Sequence, residues 1–78
     1  MRKVQLIKWI DTAAEMLAPM NTEQTGGCIF GETLGFFVRE DKECVVLAME
    51  QFEDGRWRHL VAIPKVAIKK RRTIWKEK

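Results

Sequence analysis

Tyrosine is absent from the chain, histidine occurs once, and proline and cysteine occur only twice each among 78 residues. The single histidine, His59, has no cysteine or serine partner in a recognisable catalytic motif. It reads as a strand residue with a satisfied hydrogen bond rather than as a general base. Cys28 and Cys44 stand apart, with no C-x-x-C spacing and no histidine at metal-ligand distance. They leave room for one disulfide at most and none for a zinc site, and the expected state is a pair of free buried thiols in a reducing cytoplasm, with a cross-strand disulfide as the alternative. No uncharged apolar run approaches the ~18 residues a spanning helix requires. Met1-Arg2-Lys3 has the positive start of an export signal, but Lys8 and Asp11 interrupt the apolar stretch behind it, and no export is expected. Phosphate loops and dinucleotide fingerprints are missing too, since Gly26-Gly27 with Gly31 lacks the strand-then-helix setting. The chain reads as a non-enzyme without a cofactor or a metal. Asp41 and Glu43, the one acidic pair with any metal-binding capacity, read as a turn.

What is present is enough apolar residue to fold: 46% hydrophobic against 32% charged, in a length that makes one small domain, 1–78. So short a chain buries a modest fraction of its surface, and homo-oligomerisation is the expected supplement. Charge is unevenly placed. Residues 1–64 carry seven Lys/Arg against ten Asp/Glu, whereas 65–78 carry seven against one, so the last fourteen residues alone make the chain basic. Such asymmetry points to a polyanion, with nucleic acid the commonest, or to a solvated basic segment.

The expected fold class is α+β: an N-terminal helix followed by a bent antiparallel sheet or small barrel. Over residues 3–17, Leu6, Ile10, Ala13 and Leu17 recur at helical spacing, with Lys8, Asp11, Thr12 and Glu15 opposite, until Pro19 ends the pattern. Cys28 to Arg39, Glu43 to Glu53 and Arg56 to Ile63 are rich in β-branched and aromatic residues and read as strands, with Lys69 to Trp75 as a last one. Asp54-Gly55 predicts a type I′ hairpin, and Gly31 and Gly35 mark bends in the first long strand. Core candidates are Leu6, Ile10, Leu17, Phe36, Val46, Leu60 and Ile63.

Arg56, Trp57 and Arg58, with Lys65, Lys69, Lys70, Arg71, Arg72 and Trp75, interleave cations with flat aromatics. Cations neutralise phosphate while an indole stacks on an unpaired base, so these nine are the candidate nucleic-acid contacts, with single-stranded RNA the expected ligand. The alternative is a small protein-interaction module or inhibitor, such as a phage-encoded regulator, docking on a protein partner.

Gly35, Asp41 six positions later, the apolar Cys44-Val45-Val46-Leu47, and Lys65-Val66-Ala67-Ile68 follow one another in an order that resembles the Sm-like, Hfq-type small β-barrel family. That resemblance implies a strongly bent barrel, RNA contact at Lys65, a structural role for Asp41 and rings of subunits paired edge to edge. It covers about half the chain, and Val66 stands where Hfq-type proteins carry an RNA-contacting histidine.

Overall fold

A computed structural model describes residues 2–11 and 29–78. They form one antiparallel sheet of five strands: β1 (Lys3–Asp11), β2 (Ile29–Glu40), β3 (Cys44–Gln51), β4 (Trp57–Pro64) and β5 (Ile68–Lys76). The spatial order is β4-β3-β2-β1-β5, and a single 3-10 turn at Lys65–Ala67 carries the chain from one edge strand to the other.

The α+β class with a helix over 3–17 is therefore corrected. Lys3–Asp11 is a strand, no α-helix occurs among the described residues, and the rest of the expected helix, Leu17 included, lies outside them. The physical reason is that β1 is hydrogen-bonded on both sides, to β2 and to β5. Gln5 and Ile7 are buried on one face, while Val4, Leu6 and Ile10 are half-buried on the other. A strand apolar on both faces loses its two-residue alternation, and the remaining pattern imitates a helical stripe.

β2 is long because it serves two partners: Ile29 to Phe36 pairs with β1, and Phe36 to Glu40 with β3. The hand-over occurs at Gly35. A Cβ there would lie 2.8 Å from the Ala48 carbonyl oxygen, so the close crossing of β2 over β3 requires glycine. A register shift between Phe37 and Arg39 follows and adds to the bend. Gly31 makes room for Trp9, whose indole Nε1 donates to Thr33 Oγ1 at 2.9 Å.

The bending brings together residues from strands that are not sheet neighbours. Ile7 of β1, Val45 and Leu47 of β3 and Ile63 of β4 form the buried cluster, flanked by Trp9, Phe37 and Ile68. The curled sheet is compatible with a small barrel-like fold, although β4 and β5 are not hydrogen-bonded to each other. Val46 and Ile63 are buried; Leu6, Ile10 and Phe36 are half-buried. Leu60, expected in the core, is 57% exposed because no described strand flanks β4 on its outer side.

The β3–β4 hairpin departs from the two-residue turn expected at Asp54-Gly55. Phe52 N–H donates to the Arg56 carbonyl at 2.8 Å, and Gly55 N–H to the Phe52 carbonyl at 2.9 Å. Gly55 takes a φ of +91° while Asp54 keeps a negative one, which makes a three-residue loop built on a type I turn. At the β2–β3 turn, Asp41 Oδ1 accepts from the Glu43 and Cys44 amides, both at 2.8 Å. Those amides hold the Asp41 carboxyl below its usual pKa. Cys44 carries a free thiol, and Cys28 lies outside the described residues. No helix among the described residues is long and apolar enough to cross a membrane.

Candidate nucleic-acid interface

The run Lys69-Lys70-Arg71-Arg72 does not act as one cluster, because alternation along β5 divides it between two faces. Lys70 lies opposite Lys8, and Arg72 opposite Leu6, on the face of the sheet turned away from Ile7. Across β1 the same face continues with Glu32 opposite Lys8 and Leu34 opposite Leu6. Leu6, Lys8, Glu32, Lys70 and Arg72 line a shallow concavity of about 240 Å³. Phe30, 53% exposed, flanks it with the Lys8 ammonium 5.1 Å from its ring centre, and Leu34 is 51% exposed. Trp75 lies opposite Val4, the register position on this same face, and is 45% exposed.

Among the described residues no ion pair engages Lys8, Lys69, Lys70 or Arg72. Arg71, opposite Ile7, is on the other face and is otherwise occupied. Its Nη2 lies 2.7 Å from Glu40 Oε1, while Lys65 Nζ lies 2.9 Å from the second oxygen. The Arg71 and Lys65 hydrogen bonds pull the Glu40 carboxyl down to a pKa of about 2. Lys69 sits at the register shift between Lys8 and Trp9 and has no strand partner among the described residues.

Arg56, Trp57 and Arg58 are at the β3–β4 hairpin, where Phe52, Arg56, Trp57 and Arg58 line a second, more open hollow. Both arginines are compensated there. Arg58 binds Glu50 through Nε at 3.0 Å and Nη2 at 2.6 Å, and Arg56 Nε is 2.8 Å from Asp54. The Arg58 bonds lower the Glu50 pKa and raise that of Arg58 itself. The Trp57 ring is tilted against Phe36 at 6.2 Å.

Thus the nine expected residues occupy four places: Lys70, Arg72 and Trp75 share the open face, Lys65 and Arg71 grip Glu40, Arg56 to Arg58 close the hairpin, and Lys69 sits at the bulge. Sequence reasoning missed Lys8 and Phe30. The signal that would have found Lys8 is the alternation Val4, Leu6, Lys8, Ile10, read as a strand face instead of a helix side; Phe30 follows only from the register that sets it opposite Ile10.

No family model, curated protein or solved structure matches this chain.

Proposed function

We propose that the chain is a non-catalytic nucleic-acid-binding domain that holds single-stranded RNA on the open face of β5, β1 and β2. What carries this reading is a set of three cations, Lys8, Lys70 and Arg72, uncompensated among the described residues and set around a hollow edged by the exposed ring of Phe30. Phosphates are neutralised by cations that no carboxylate has claimed, and a base released from its stack finds a π-surface beside them. Glu32 is the acid of the hollow, and it sets a limit on how closely a phosphate approaches β2.

Binding of a labelled single-stranded RNA, followed by fluorescence anisotropy across a salt series, tests the proposal. The parent should bind at low salt and lose affinity steeply as salt rises, with single-stranded DNA and duplex RNA as the comparison ligands. Lys8, Lys70 and Arg72 changed together to Gln should reduce the slope by about 0.7 for each phosphate no longer neutralised. Phe30→Ala should leave the slope alone and cost about 1–3 kcal/mol if a base stacks on the ring. Lys65→Gln with Arg71→Gln is the control, because those cations are held by Glu40. Loss of binding only in this control, or no binding by the parent at low salt, overturns the proposal.

A further inference from the structure

Among the described residues the two outer strands of the sheet, β5 and β4, are chemically opposite. β5 carries five cations among nine residues, namely Lys69, Lys70, Arg71, Arg72 and Lys76. Any antiparallel pairing of one β5 with another through this stretch sets like charges directly opposite, which is destabilising, and charged edges of this kind keep strands apart. β4 carries Arg58 and His59 at its start and then Leu60, Val61, Ala62 and Ile63 without a charge. Leu60 and Val61 are 57% and 37% exposed on opposite faces, beside a row of backbone groups that no described strand satisfies. No charge between Leu60 and Ile63 discourages a further strand.

We infer that β4 pairs with β4 of a second copy of the chain, antiparallel about a twofold axis. The register follows from symmetry. A twofold axis that relates adjacent antiparallel strands stands perpendicular to the sheet and keeps each side chain on its own face, so a residue must lie opposite one an even number of positions away. Centring on Val61 satisfies this: Val61 meets Val61 of the copy on one face, and Leu60 meets Ala62 on the other. His59 then lies opposite Ile63, and Arg58 opposite Pro64, so no cation faces a cation. His59, with φ of +59° and its Nδ1 2.9 Å from Glu50 Oε1, bends the strand at its start, and since it is the symmetry partner of Ile63, regular pairing is confined to Leu60, Val61 and Ala62 of each copy. The contact is accordingly short, and the dimer depends on concentration.

The inference is independent of nucleic-acid binding and is tested on nuclease-treated protein. Sedimentation velocity over a concentration series should show a shift from the 9.1 kDa monomer to twice that mass. Val61→Lys places two ammonium groups on the axis and should abolish the dimer, while leaving the circular-dichroism spectrum unchanged because Val61 is outside the core. A second variant reads the register itself. With Cys28 and Cys44 replaced by Ser, Val61→Cys should oxidise to a covalent dimer, since directly opposed residues are about 4.5–5.5 Å apart at Cα, within disulfide reach. Leu60→Cys, opposite Ala62, should cross-link at least tenfold more slowly. A strict monomer at every concentration, a dimer that survives Val61→Lys, or equal cross-linking by the two cysteine variants overturns the inference.

Discussion

Glu40 is the residue on which Lys65 and Arg71 of the basic segment converge. Its carboxylate accepts from Arg71 and Lys65 at once, joining the end of β2 to β5 and to the 3-10 turn. The folded-state pKa of about 2 is below the ordinary value of 4.5, so the carboxyl binds its proton less readily in the folded chain than in the unfolded one. The stabilisation this supplies is complete above pH 4.5 and disappears as pH falls from there through 2. Glu40→Gln should therefore be less stable than the parent at pH 6 and indistinguishable from it near pH 2. Urea melts at a series of pH values measure the difference. A gap that persists unchanged into acid would show that Glu40 acts through packing and not through its charge.

At the scale of the element, β1 separates what the linear pattern shows from what it hides. Its helical reading puts Ile10 on the central apolar stripe and leaves Ile7 out of it, whereas the strand buries Ile7 completely and leaves Ile10 half-buried. Ile7→Ala should then cost about 2–5 kcal/mol and Ile10→Ala distinctly less, as chemical denaturation would measure. The reverse order would return this segment to a helix. β2 to β5 were legible because each is framed by turn residues and dense in β-branched side chains, and Gly35 announced the bend. The proposed binding face was legible only in part. The cations of β5 are visible as a run, but which of them face outward depends on the register with β1, and Lys8, Glu32 and Lys70 are neighbours only because three strands lie side by side. Leu60 had the composition of a core residue, and no local pattern shows that a strand lies at an edge.

For the whole molecule, the order β4-β3-β2-β1-β5 has a consequence in time. The ladders from β1 through β4 each join strands that are consecutive among the described ones, whereas β1 meets β5 through pairs such as Gln5 and Thr73, 68 residues apart. Closing so wide a loop is entropically expensive before any contact offsets it, and topologies rich in such pairings fold slowly, in milliseconds to seconds. Stopped-flow refolding should show substitutions in the β3–β4 hairpin slowing folding and those in β5 mainly speeding unfolding. Until β5 docks, the far side of β1 is a bare strand edge without the charges that later guard it, and the chain's exposure to misassembly is set by how long that edge waits.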